Sequence, residues 1–260
     1  MQPVIWLTNE KVAGFEPRWA PFRGFTLLFD NPGANLKVSG GLSYVDCDVD
    51  RDPDLLLYKA LRDGIQQIGQ DLLTNTYLFC PLPPASYHVT VWDGVNDGNL
   101  AQVLTAHHET WKRFLQEPWS VSGAFDLFRE ITVSDLISKP DWNIQLRFEA
   151  LEKWSNVSIV ARLAPANATP KNAVAGLTDA RAGLTRVFES RFGVGPHLTY
   201  APHVTLGYFA NQNLADETNQ YMEQWDAIFR ELTNGLILVM HRVSLYGFTD
   251  MATFFKIPEP

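Results

Sequence analysis

The chain has 260 residues, 46% of them hydrophobic and 19% charged, with a formal net charge of −8. That is the composition of a globular protein able to bury a sizeable core, in one large domain or two small lobes. Gripping a duplex or a long strand of nucleic acid requires a basic stripe, and the longest basic cluster is only Lys112-Arg113, so any nucleotide ligand is expected to be small.

Residues 1–24 are rich in Pro, Gly and aromatics and read as an arm packed on the body. Phe25–Phe29 is a predicted strand ended by the turn signal Asp30-Asn31-Pro32-Gly33, and Leu42–Val45 is a second. Asp52-Pro53 opens a helix, with Pro at its first position, and Leu56, Ala60, Ile65 and Ile68 give it an apolar stripe to about residue 73. Thr76–Phe79 reads as extended, and Pro81-Leu82-Pro83-Pro84 breaks the chain. The next strand, Tyr87-His88-Val89-Thr90-Val91-Trp92, is ended by Asp93-Gly94. Residues 99–117 are a predicted helix. Residues 124–133 and 142–164 are predicted strands, the latter because Ile144, Leu146 and Phe148 alternate with Gln145, Arg147 and Glu149. A third helix covers 171–192 and stops at Gly193. The strand Pro202-His203-Val204-Thr205-Leu206-Gly207-Tyr208-Phe209 follows. A fourth helix covers 214–233, and Leu236–Met240 and Val243–Phe248 close the chain as two strands expected to be adjacent.

The two cysteines, Cys47 and Cys80, lack metal-ligand spacing and are too few for a disulfide framework, which fits reduced thiols in the cytoplasm. The first residues have neither the basic start nor the apolar run of a signal peptide, and no stretch reaches membrane-spanning length. A cytoplasmic location with no membrane partner is therefore expected. The oligomeric state is not legible.

The sequence order helix, His-x-Thr strand, helix occurs at 53–117 and again at 171–233. This predicts two similar lobes within one interleaved domain over residues 1–260, each a sheet with helices on one face. Six His and 17 Thr in 260 residues predict about 0.4 His-x-Thr tripeptides by chance. His88/Thr90, His203/Thr205 and His197/Thr199 all have that spacing, and the first two sit at matching places in the repeat. In a strand, residues two apart share a face. His88 and Thr90 therefore point one way and Val89 the other, and His203 and Thr205 oppose Val204 in the same manner. His197 follows a Gly-Pro turn and is the alternative to His203. The same alternation puts Trp92 and Phe209 on the polar face, where they could stack on a base, and puts Tyr208 in the core. Arg147 is on the polar face of its strand and is a possible phosphate contact. His107, His108 and His241 are read as structural.

Two His-x-Thr strands in two similar lobes resemble the 2H phosphoesterase superfamily, which includes RNA 2′,3′-cyclic phosphodiesterases and so-called 2′-5′ RNA ligases. Pro202–Gly207 is similar to that family's second motif, and Tyr87–Val95 to the first motif of a bacterial subgroup of unknown function. The resemblance implies an α+β, bilobed, pseudo-two-fold fold with outer helices and a central cleft between two mostly antiparallel sheets. It also implies chemistry without metal or other cofactor, His88 and His203 as the acid–base pair, and Thr90 and Thr205 as holders of the phosphate. Many RNA-end members carry a basic residue shortly after the second Thr, where this chain has Gly207-Tyr208.

The chemistry suits these residue types. Imidazole titrates near neutrality, so one ring can accept a proton while the other donates one. Thr hydroxyls can donate to the non-bridging phosphate oxygens where charge must be held. The expected substrate is a 2′,3′-cyclic phosphate, a related small nucleotide diester or an RNA terminus. The competing expectation is a module that binds a nucleotide or RNA end without turning it over. A two-His metal site is disfavoured, since no acidic or Cys partner stands at ligand spacing.

Overall fold

The computed structural model describes residues 6–33, 35–119, 125–155, 157–196 and 199–257. The fold is α+β and bilobed, built on two antiparallel sheets. Its strands are β1 Gly24–Phe29, β2 Leu36–Ser39, β3 Leu42–Val45, β4 Phe79–Pro81, β5 Thr90–Asn96, β6 Ile144–Trp154, β7 Ser158–Pro165, β8 His203–Phe209, β9 Leu238–Met240, β10 Val243–Asp250 and β11 Thr253–Lys256. Its helices are α1 Leu56–Ile68, α2 Gln70–Tyr77, α3 Thr105–Gln116, α4 Phe125–Thr132, α5 Asp135–Ser138, α6 Lys171–Phe192, α7 Gln212–Glu217 and α8 Met222–Leu232. The first sheet has the order β2-β3-β11-β10-β1-β5 and the second β4-β8-β7-β6-β9. None of the described helices is long and apolar enough to cross a membrane. Cys47 and Cys80 are buried, unbridged thiols.

Each sheet buries one face under helices. On the first, Phe25 of β1 lies with its ring centroid 5.0–6.2 Å from those of Trp92, Trp111, Phe114, Phe128 and Phe188. Such ring pairs contribute about 0.5–1.5 kcal/mol each beyond the area they bury. They join β1 and β5 to α3, α4 and α6. Gly94 lies under Phe25, where a Cβ would run into the ring, which explains a glycine inside a strand. On the second sheet, Phe229 of α8 stacks on Phe148 of β6 with centroids 6.0 Å apart. Gly64 of α1 lets that helix approach the Phe229 ring closely.

The lobes are interleaved more deeply than the repeat suggests. The helix following each motif strand packs on that strand's own sheet, α3 on the first and α8 on the second. The helix preceding it packs on the opposite sheet. α1 and α2, before β5, contact α8, β8 and β4, whereas α6, before β8, contacts α4, α5 and the β5 residue Trp92.

Several expected elements are corrected. The predicted strand at 124–133 is α4, because Leu127, Phe128 and Ile131 form a helical stripe buried in the aromatic cluster. The helix from Pro53 begins with a single 3₁₀ turn capped by the Asp52 carboxylate and breaks at Gly69, whose φ of 106° ends α1. α2 then runs to Tyr77, two residues into the stretch expected to be extended over Thr76–Phe79, and Leu78 at φ 51° redirects the chain into β4, where Phe79 is extended as expected. The helices at 99–117 and 214–233 likewise open with short pieces, a 3₁₀ turn at Leu100–Gln102 and α7 with the 3₁₀ turn Thr218–Tyr221. Asp93-Gly94 does not end β5, which continues to Asn96. β9 and β10 are not neighbours. β9 pairs with β6 in the second sheet, and β10 lies between β1 and β11 in the first.

The N-terminal arm packs on both sheets. Thr8 N donates to Ala210 O and the Asn9 amide donates to Phe209 O, both at the end of β8. Phe22 N donates to Thr249 O on β10.

Candidate active site

His88 stands on an extended segment between the 3₁₀ turn Pro84–Ser86 and β5. The segment is held by the Asn31 amide, which donates to Tyr87 O at 2.9 Å, and by Phe29 N, which donates to Val89 O at 3.1 Å. His203 opens β8, opposite Arg162 of β7. The two histidines have matching surroundings. Nδ1 of His88 is 2.8 Å from Ser86 O, and Nδ1 of His203 is 3.0 Å from Ala201 O, the carbonyl two residues back in each case. A carbonyl only accepts, so the neutral ring carries its proton on Nδ1 and leaves the Nε2 lone pair for the cleft. Each ring also packs on an aromatic from its own sheet. His88 lies 4.2 Å from Phe254 of β11 and His203 lies 4.2 Å from Trp154 of β6, centroid to centroid.

Both imidazoles and both threonines open into one cavity of about 340 Å³ between the sheets. The first sheet contributes Thr26, Thr90, Asp93, Asn96, Phe248 and Phe254 to its wall, the second contributes His203, Thr205 and Tyr208, and the arm contributes Glu10 and Lys11. His203 and Asp93 also line two adjoining cavities, of about 320 and 530 Å³. The Thr90 and Thr205 hydroxyls make no hydrogen bond to another described residue. Burial pushes the His88 pKa down to about 4, and the neighbouring His203 adds to the drop. Burial also lowers the pKa of His203, but there Asp93 and Glu152 act in the opposite sense and Lys11 reinforces the drop. The two sides of the cleft therefore differ: each ring packs on an aromatic, but no carboxylate is among the groups that shift His88, whereas Asp93 and Glu152 act on His203.

The outward carbonyls of β5, the edge strand carrying Thr90, are capped by side chains. Arg181 Nε of α6 donates to Val91 O at 2.5 Å, and Tyr200 Oη donates to Thr90 O at 3.1 Å. The guanidinium lies over the Tyr200 ring, 4.5 Å from its centroid.

Of the residues singled out in the sequence, His88, Thr90, His203 and Thr205 meet in the cleft. Trp92 and Phe209 do not reach it, and both are fully buried on the core side of their sheets. Trp92 donates from Nε1 to Thr185 Oγ1 at 3.0 Å, and Phe209 packs 5.0 Å from Phe79. The reason is a bulge directly after each motif threonine. Leu28 pairs with Thr90 and Leu27 with Trp92, leaving Val91 extra. Likewise Val160 pairs with Thr205 and Ile159 with Gly207, leaving Leu206 extra. A bulge shifts the alternation by one residue, so the third residue after each threonine faces the cleft, Asp93 in one strand and Tyr208 in the other. Tyr208, which simple alternation puts in the core, is buried as expected and also forms part of the cleft wall. Arg147 is exposed and lines a different cavity with Arg230, Asn234 and Leu236. His197 lies outside the described residues. A further His-x-Thr, His108-Glu109-Thr110, is on α3. His107 packs on Phe192, and His241 is paired with Asp141.

The cleft residues that sequence reasoning missed are Asp93, Tyr208, Trp154, Phe254 and Lys11. A bulge between Phe148 and Ala150 shifts β6 as well, so its early alternation does not extend to Trp154. The core assignment of Trp92 has a measurable consequence. Trp92→Phe removes a buried hydrogen bond and some volume, and a destabilisation of roughly 1–2 kcal/mol is expected in denaturant titration. The affinity for any nucleotide should be unchanged, and weakened ligand binding at unaltered stability would contradict the assignment.

No protein-family model matches the chain, and no curated protein does. Among solved structures it is similar to a conserved Agrobacterium tumefaciens protein of unknown function, with 17% identity and a TM-score of 0.55 over 96% of this chain and 90% of that one. Usb1 from Kluyveromyces marxianus aligns over 91% of this chain and 98% of its own, at 11% identity and a TM-score of 0.44. The first likeness establishes a shared fold.

Proposed function

We propose that the protein is a metal-independent phosphodiesterase of the 2H type, acting on a 2′,3′-cyclic phosphate or a related small nucleotide diester. The observation that carries the reading is the shared cleft: two histidines from different sheets, each with Nδ1 turned to a carbonyl, flank a cavity that also receives two unengaged threonine hydroxyls. His88, in the more apolar wall, is the base. It takes a proton from water as the water oxygen bonds to phosphorus. His203, beside Asp93 and Glu152, is the acid and gives its proton to the leaving oxygen as the P–O bond breaks. The product is a phosphomonoester with a free hydroxyl, and proton exchange with solvent resets both rings. Asp93 is a positioning residue that favours the charged form of His203.

The pH dependence follows from this division. kcat/KM reports the free enzyme. His88 must be neutral, so activity rises through a limb near pH 4. His203 must be protonated, so activity falls through a limb below the ordinary histidine value of 6.5. A bell with its maximum on the acid side of that value is expected, unaffected by a strong chelator. Asp93→Asn removes a charge that favours the imidazolium and should move the alkaline limb to lower pH. A panel of 2′,3′-cyclic nucleotides and linear and cyclic dinucleotides, followed by chromatography of products, tests the activity. A monotonic pH profile that depends on added metal would refute the mechanism. Tight binding of a panel member without any turnover would identify a binding module instead.

A further inference from the structure

Resting on the phosphodiesterase reading for its substrate, we propose that the N-terminal arm is part of the binding site and that Lys11 supplies the positive charge that holds the substrate's phosphate. An anionic diester must enter a protein of net charge −8, through a cleft whose wall includes the carboxylates of Glu10 and Asp93. Besides the protonated His203, positive charge in the cleft and its two adjoining cavities comes from Lys11 and Arg181 among the described residues. Arg181 is directed to the edge of β5 by its bond to Val91 O. Lys11 reaches both the central cavity and the larger adjoining one, next to Thr205 and His203.

Its placement is prepared by the arm. Lys11 N donates to Asn9 Oδ1 at 3.0 Å and Lys11 O accepts from Ala20 N at 3.1 Å. Asn9 is itself bonded to the end of β8, and the arm reaches β10 at Phe22, so Lys11 sits where the arm passes from one sheet to the other. The ammonium lies 4.9 Å from the Phe22 ring centroid and 5.1 Å from that of Tyr208, and among the described residues no carboxylate is within ion-pair distance of it. Two ring faces hold the cation in place without neutralising it, which leaves its hydrogen-bond donors for a phosphate oxygen. The bulge that turns Tyr208 toward the cleft thus also gives Lys11 a seat.

The test measures binding apart from turnover. Wild type, Lys11→Met and Lys11→Arg are titrated calorimetrically with the four ribonucleoside 3′-monophosphates and with the corresponding nucleosides, at low and near-physiological salt. Lys11→Met removes the charge and keeps an unbranched side chain of similar length beside the Phe22 and Tyr208 rings. It should weaken monophosphate binding by roughly 10- to 100-fold at low salt, with a smaller loss at higher salt, no change for nucleosides, and partial recovery in Lys11→Arg. In turnover KM should rise more than kcat falls. The alkaline limb of the pH profile should move up in Lys11→Met, because His203 then faces Asp93 of β5, Glu152 of β6 and the neutral His88 without the arm's cation. Equal losses for nucleosides and monophosphates, or monophosphate binding unchanged in Lys11→Met, would overturn the assignment to Lys11 while leaving the phosphodiesterase reading intact. Lys11-dependent monophosphate binding with no hydrolysis of any diester would do the reverse.

Discussion

His88→Ala and His203→Ala are each expected to lower kcat/KM by roughly 10²- to 10⁴-fold, the usual contribution of a positioned acid or base. Neither change should unfold the protein, because both rings are partly exposed on the cleft wall and the residues between them and the threonines, Val89 and Val204, carry the packing. The double variant should be barely worse than the poorer single one, since groups acting as a pair in one transition state are strongly non-additive. The acid–base assignment adds an asymmetry. With a substrate whose leaving group is a nitrophenolate, which departs without a proton, His203→Ala should recover much of its activity and His88→Ala should not. Recovery in His88→Ala instead would exchange the two roles, and full activity in either variant with the natural type of diester would remove the histidines from the mechanism.

How far the site could be read from the chain depends on how local its causes are. The two His-x-Thr pairs were legible because their meaning lies within three residues: a period of two in a β-prone segment puts His and Thr on one face. The same rule failed two residues further on. A bulge cannot be seen in composition, because Val91 and Leu206 are ordinary strand residues, and what makes them bulge is the pairing partner on β1 or β7. Simple alternation therefore puts Trp92 and Phe209 on the wrong face and does not show that Asp93 and Tyr208 border the cleft. Gly94 shows the same limit. Beside Asp93 it reads as a turn, but the glycine is required by the Phe25 ring lying over it. At the level of the fold, the helix over 171–192 and its Gly193 stop were legible, and the segment at 124–133 was not, because Leu127, Phe128 and Ile131 suit either element until the aromatic cluster decides. The crossing of each leading helix to the opposite sheet has no local signal at all. Lys11 belongs to the same class: nothing near it in sequence marks it, and its place depends on contacts with residues about 200 positions away.

Thr90→Val and Thr205→Val should each reduce kcat by about 10²-fold, comparable with removing one donor from an oxyanion hole. Valine keeps the β-branched shape that suits the strand and removes only the hydroxyl, and the lost hydroxyls bond to no described residue, so stability should change by less than about 1 kcal/mol in either variant. KM should move little if the hydroxyls serve mainly the charge that builds on the non-bridging oxygens during attack, since an interaction made only in the transition state appears in kcat. The pH limbs should stay where they are, because neither threonine is among the groups that shift His88 or His203. This combination separates the threonines from the other cleft residues. Asp93→Asn moves a pH limb, Lys11→Met raises KM, and the threonine variants lower kcat at constant pH profile. A threonine variant that raises KM in proportion and leaves kcat alone would place the hydroxyl in ground-state binding. One that destabilises the fold by several kcal/mol would make it a structural residue of the strand.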